Sequence, residues 1–220
     1  MKPMPAQRAQ RVGARFAAAG LLAMLCACSA LKPSATPHPV FYALEGVART
    51  TQPATAPAPA QAPTLMINPP RAAAGFDSTR IIYLRTPHRL EYFANSEWVD
   101  PPARMLTPLL VAALGGSSAF RAVAATPSAA SGELRLDTEI VRLQHDFLVQ
   151  PSQVRFTLRA WLVEDKTRRV LAWREFDSVA PAASEDTYAG VVAANRAVQT
   201  VLESLTAFCA EAARGTRTGP

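Results

Sequence analysis

The chain has 220 residues and a formal charge of +6, with 23 Lys and Arg against 17 Asp and Glu. Its length suits one domain with a real core rather than two. Four of the cations lie before residue 16, the remainder of the chain is only +2, and no dense Lys/Arg stripe or basic-aromatic interleaving is left to argue for nucleic acid as a partner. Those four, Lys2, Arg8, Arg11 and Arg15, precede the apolar run Phe16 to Leu25 with no acidic residue among them. They are the basic and apolar parts of a secretory signal. The run is too short for a membrane span, which needs roughly 20 apolar residues.

The stretch Leu25-Cys26-Ala27-Cys28-Ser29 resembles the bacterial lipobox, in which cleavage falls just ahead of a lipid-modified cysteine. Residues 1–27 are therefore read as a lipoprotein signal peptide, and Cys28 as the lipidation site, carrying acyl chains such as palmitate. A cut before Cys26 would leave Leu25 where a small side chain is needed. One acyl chain holds a protein only marginally, at about 0.8 kcal/mol per buried methylene, and the usual lipoprotein carries three. Ser29, rather than Asp, after the modified Cys resembles the outer-membrane type. The expected localisation is the outer membrane, lipid-anchored, with the body facing the periplasm. With Cys26 removed and Cys28 acylated, Cys209 is the one remaining thiol, so no intramolecular disulfide or Cys-rich metal site can form. Cys209 falls on an apolar helical stripe and reads as a small buried hydrophobe.

Residues 28–37 form a polar tether ahead of a domain at 38–214. Val40 to Leu44 is a short first strand. Residues 50–63 are a Pro/Ala-rich insertion with no large apolar residue, unable to build a core. Thr64 to Ile67 is a second strand stopped by Pro69-Pro70, and residues 71–79 are a loop. Arg80 to Arg85 and Arg89 to Phe93 form a hairpin about Thr86-Pro87-His88. Asp100-Pro101-Pro102 opens a helix, with Asp100 as its cap and Leu106, Leu109, Leu110, Ala113 and Leu114 on its apolar face. Gly115-Gly116 closes it in a left-handed conformation, and Pro108 calls for a later start or a kink. Residues 119–125 are a further strand.

Then comes the clearest β region. Leu134, Leu136 and Ile140 alternate with Arg135, Asp137 and Glu139, and Val154, Phe156, Leu158, Ala160 and Leu162 alternate with Arg155, Thr157 and Arg159. That is the period of a half-covered antiparallel sheet. With Val170 to Val179 it makes a three-strand meander. A last helix runs from Ser184 or Thr187 to Arg214, with Tyr188, Val191, Asn195, Val198, Leu202, Leu205 and Cys209 at three- and four-residue steps, and 215–220 is a disordered tail. One apolar helical stripe and one apolar sheet face need each other. The predicted fold is α+β, a two-layer domain in which two helices pack on a mainly antiparallel sheet.

Motifs for catalysis are absent from the sequence. His38, His88 and His145 have no second His or Cys at ligand spacing, and there is no Gly-rich phosphate loop or nucleophile elbow. No metal or cofactor is expected. Glu133, Asp137 and Glu139 share a strand face with Arg135, which reads as a solvated face; a paired-carboxylate hydrolase would have to assemble in space. The aromatics carry more information. Tyr83, Tyr92, Phe93 and Trp98 gather about the hairpin, and Trp161, out of phase with its strand's apolar set, points to the opposite sheet face. These five are candidates for an interface or a lipid-contacting surface.

Several stretches together resemble the ABC-type transport auxiliary lipoproteins, small lipoproteins encoded with MCE-type transporters. They are Cys28-Ser29 with Pro37 and Phe41-Tyr42-Ala43-Leu44; Arg80-Ile81-Ile82-Tyr83 and Leu90-Glu91-Tyr92; Trp98 with Pro101-Pro102 opening a Leu-rich helix; and the meander with its terminal helix. The resemblance implies a non-enzymatic periplasmic component of an MCE-type ABC system. Its partners would be an MCE-domain protein and the permease and ATPase of that system, moving phospholipids or other hydrophobic molecules between envelope membranes. Only Cys28 carries over as a functional residue, and a homo-oligomer is compatible with it. One alternative is an outer-membrane assembly scaffold bracing a β-barrel. The other is a lipid-anchored envelope hydrolase using Glu133, Asp137 or Glu139.

Overall fold

The computed structural model describes residues 38–45 and 59–215. The leader, Cys28, the tether, residues 50–58 of the Pro/Ala-rich stretch and the last five residues lie outside the described residues. From Pro39 onward the chain forms one compact unit. Its described elements are β1 (Val40–Tyr42), β2 (Thr64–Ile67), β3 (Arg71–Ala72), β4 (Arg80–Thr86), β5 (Arg89–Trp98), α1 (Pro102–Gly115), β6 (Ala122–Ala125), β7 (Leu134–Asp146), β8 (Gln153–Glu164), β9 (Val170–Pro181) and α2 (Thr187–Gly215).

Strand β7 is the spine of an open nine-stranded sheet. One edge pairs with β8 along its whole length, from Leu134↔Glu164 to Asp146↔Gln153. The other edge is shared by three short strands. Strand β2 takes its start (Leu65↔Leu134), β3 its middle (Arg71↔Glu139) and β4 its end (Tyr83↔His145). The long ladders β7–β8, β8–β9 and β4–β5 are antiparallel, as the alternation predicts. The short joins of β2, β3 and β4 to β7, of β6 to β2 and of β1 to β5 are parallel. Strand β3 lies in the span read as a loop. At two residues it carries no periodicity to detect.

The alternation in β7 and β8 turns one face to the helices. Leu134, Leu136, Ile140, Phe156, Leu158, Ala160 and Leu162 are buried there against α2, whose Val191, Ala194, Val198, Val201, Leu202, Leu205 and Cys209 supply the facing stripe. Helix α1 packs on β6, β2 and α2 through Leu106, Leu110 and Leu114. Each such Leu contributes roughly 1.5–3 kcal/mol by leaving water. Tyr188 is not part of the stripe. It is 67% exposed, because the buried arc of α2 starts one residue later at Ala189.

Three end-of-helix expectations change. Pro101, not Asp100, is the residue before α1, and no side chain caps it; Asp100 instead accepts from the Arg104 guanidinium at 3.4 Å. Pro108 sits inside α1 without delaying its start. Pro108 and Arg104 are both exposed, so solvent can satisfy the carbonyl that the missing N–H leaves over. Gly116 ends the helix at φ −80°, in the right-handed region, so a left-handed glycine closure is not used. Helix α2 starts at Thr187, one of the two expected positions, and Asp186 ahead of it accepts from the Ala189 N–H at 2.9 Å, a side-chain cap worth about 1 kcal/mol.

Candidate functional site

The face of the meander turned away from the helices is a charged ladder ending in tryptophans. The cross-strand register places Thr157 opposite Asp177, Arg159 opposite Glu175 and Trp161 opposite Trp173. Arg155 reaches Asp177 at 2.8 Å, and Arg159 bridges Glu175 at 2.7 Å and Glu139 at 3.5 Å. The Arg155 hydrogen bond, and after it that of Thr157, hold the Asp177 carboxyl below its usual range. These pairs are about half exposed, so each adds little, about 0–1 kcal/mol. They set the register of a solvated face. Trp161 stands half-buried on it, and Trp173, which the sequence reading left out of its candidates, is 63% exposed.

The hairpin aromatics divide into three environments. Tyr83 and Phe93 pack at 4.6 Å between ring centroids, joined by Phe147 at 5.9 Å from Tyr83, with the Arg85 guanidinium over Tyr83 and Phe147. Tyr92 points the other way, half exposed, with Arg80 stacked 4.2 Å over its ring. Trp98 is 3% exposed and belongs to the core. Its inclusion among surface candidates is corrected: it ends β5 where that strand meets α2, facing Ile81, Val191 and Ala194 around a small cavity. Phe147 went unnoticed because it follows β7 and only the parallel join to β4 brings it to Tyr83.

The three carboxylates of the hydrolase alternative are each engaged by other groups. Glu133 accepts from the Thr64 N–H at 2.7 Å and from Arg121, and the first bond above all lowers its pKa. Asp137 accepts from Asn68 Nδ2 at 2.6 Å and from Arg135, while Glu139 pairs with Arg159. Each has a different cationic partner and no carboxylate partner. Among the described residues no cluster of His, Cys, Asp and Glu could hold a metal. The Cys209 thiol is fully buried and pushed up to about 12 by desolvation, so it is inert toward oxidants.

His145 is the most unusual titratable group. Its Nε2 lies 2.9 Å from Ser152 Oγ, and its ring stacks on Phe147 at 4.0 Å. Ser152 is 0% exposed, and His145 Nδ1 has no hydrogen-bond partner among the described residues. A nucleophilic serine needs access and a base oriented by a third group; this pair has neither and is structural. Desolvation dominates and lowers the His145 pKa, opposed by the nearby charges of Glu185, Asp146 and Asp186 and reinforced by Arg85. A depressed folded-state pKa means that the unfolded chain binds more protons as pH falls below the ordinary value of about 6.5. Stability is therefore expected to be full above that pH and to decline as it falls toward the folded pKa. Urea midpoints at pH 7.5 and 5.5 check this: the midpoint should drop in the wild type and drop less in His145→Gln.

The described residues form a two-layer α+β body with an open mixed sheet and an ion-paired outer face. The family model for the ABC-type transport auxiliary lipoprotein component matches residues 42–206, and the chain belongs to that family. Among solved structures it is similar to protein XCC0632 from Xanthomonas campestris, of family DUF330, at 25% identity and a TM-score of 0.71, covering 82% of this chain and 99% of that one. An uncharacterized protein shares the fold at 12% identity and a TM-score of 0.63, covering 78% and 99%. No curated protein matches.

Proposed function

We propose that the protein is an outer-membrane-anchored periplasmic lipoprotein, an auxiliary component of an MCE-type ABC system that moves phospholipids or other hydrophobic molecules between envelope membranes. The observation that carries this reading is the family match over 42–206, nearly the whole described unit. The separately engaged carboxylates and the closed His145–Ser152 pair support a non-catalytic role. Cys28 is the anchor. The surface that holds partners is sought at Tyr92, at the Tyr83–Phe93 cluster and at Trp161 with its neighbour Trp173, since exposed aromatics anchor interfaces.

The test is a gentle-detergent pull-down of the tagged protein from native membranes, with the accompanying proteins identified by mass. An MCE-domain protein with a permease and ATPase is the expected recovery. Recovery of an outer-membrane barrel alone would replace this reading with the scaffold one. In the same cells, Cys28→Ala is expected to lose acyl labelling and to leave the outer-membrane fraction; normal labelling would overturn the lipobox assignment.

A further inference from the structure

The outer face of β7 carries a cleft of about 540 Å³ where two irregularities of the sheet face each other. On one side β2 stops at Ile67 and β3 begins at Arg71. Pro69 and Pro70 between them have no N–H to continue a ladder. On the other side the β8–β9 register shifts at Leu162/Val163, and the turn that follows holds Arg168 at φ +60°. The sheet cannot close over this gap, so the cleft is built by the chain's own breaks.

Three guanidiniums line the cleft. That of Arg135 is matched by Asp137 and Asp165, as those of Arg155 and Arg159 farther along the face are matched by carboxylates. Arg71 and Arg168 border the cleft and carry no ion pair among the described residues. The one carboxylate in the lining, Asp137, is already bound by Arg135 and by Asn68. The indole of Trp161 forms a wall, and Pro69 and Val170 add apolar surface.

We infer that this cleft binds an anionic sugar, a pyranose bearing a phosphate or carboxylate group. The volume falls within the roughly 300–1,000 Å³ of small-molecule sites and is ample for one or two sugar rings. The apolar C–H face of a pyranose stacks on a flat indole, which Trp161 offers. The Asn68 amide donates to Asp137 and accepts from Thr126 Oγ1, which leaves its second N–H and second lone pair for neighbouring hydroxyls. The two unmatched guanidiniums fit the anion, because Arg donates paired N–H bonds to phosphate or carboxylate oxygens. A bare anion would leave the indole without a role, and a neutral sugar would leave Arg71 and Arg168 without one. The chemistry is shared by a free sugar phosphate and by the headgroup of a phosphorylated glycolipid.

The experiment titrates the full-length protein, purified in detergent, with glucose 6-phosphate, glucose and inorganic phosphate, by calorimetry and by tryptophan fluorescence. Glucose 6-phosphate should bind at least about tenfold more tightly than either glucose or phosphate, a gap of about 1.4 kcal/mol. Trp161→Ala and Arg168→Ala should each lose at least about tenfold, the same gap, with melting curves confirming that both variants fold. Tyr188→Ala, an exposed residue of α2, should bind as the wild type does. A second arm uses phosphatidylcholine vesicles with and without a glycolipid whose headgroup is a sugar phosphate, against vesicles with phosphatidic acid. Binding of the soluble sugar assigns a free ligand, binding of the glycolipid vesicles alone assigns a headgroup, and either supports the inference. Phosphate or phosphatidic acid binding as tightly as the sugar forms, wild-type affinity in folded Trp161→Ala, or no binding in either arm would overturn it.

Discussion

Gly190→Ala is expected to destabilise the protein, although the same change in a typical helix interior stabilises by roughly 1 kcal/mol. Gly190 lies in the first turns of α2, buried against the end of β7. A Cβ there would stand 2.5 Å from His145 Nδ1 and 2.9 Å from Cε1. The imidazole has nowhere to retreat, since Ser152 holds its far nitrogen and Phe147 covers a ring face. Overpacking of this kind costs about 1–3 kcal/mol, and displacement of the ring would also strain or break the buried bond to Ser152, worth about 1–3 kcal/mol if its partner is left unsatisfied. At roughly 2–4 °C per kcal/mol for a chain of this size, the melting temperature should fall by several degrees. The double variant with His145→Ala should cost less than the two singles together, because the clash and the ring are then removed as one. A melting temperature that rises in Gly190→Ala would show that the helix and β7 are not in this contact.

Trp98→Ala and Tyr92→Ala, six residues apart on one strand, are expected to differ by several kcal/mol. Trp98 is 3% exposed and wedged between β4, β7 and α2. Truncating such a ring costs about 3–5 kcal/mol through lost burial and the cavity left behind. Tyr92 is 50% exposed with only the Arg80 stack to lose, so its truncation should stay within about 0.5 kcal/mol. Urea denaturation of the two variants measures the difference. The same pair separates fold from partner contact. If Tyr92 belongs to the docking surface, its variant keeps wild-type stability and loses co-purifying partners. Trp98→Ala would lose both together.

What the sequence alone determined was whatever repeats locally. The meander was legible because period-two alternation over a dozen residues has one solution against an apolar layer, and α2 because its stripe holds over many turns. The hairpin about His88 and the Pro69-Pro70 stop were legible from residues with a single backbone habit. The family, too, was readable from the order of these pieces. The tertiary structure decided what depends on partners far along the chain. It made β7 the spine shared by β2, β3 and β4, a set of parallel joins that no local pattern encodes, since each joins segments separated by dozens of residues. It sent Trp98 inward and left Trp173 outside, although both sit on strands with similar neighbours, because only α2 and the bulge positions say which face is covered. The cleft beside Trp161 is the clearest case. Pro69, Asn68, Arg71, Asp137 and Arg168 come from three separate stretches of sequence, and only the break in the sheet gathers them around one space. Local periodicity selects elements, while burial and long-range pairing choose which side chains of those elements are left free to bind.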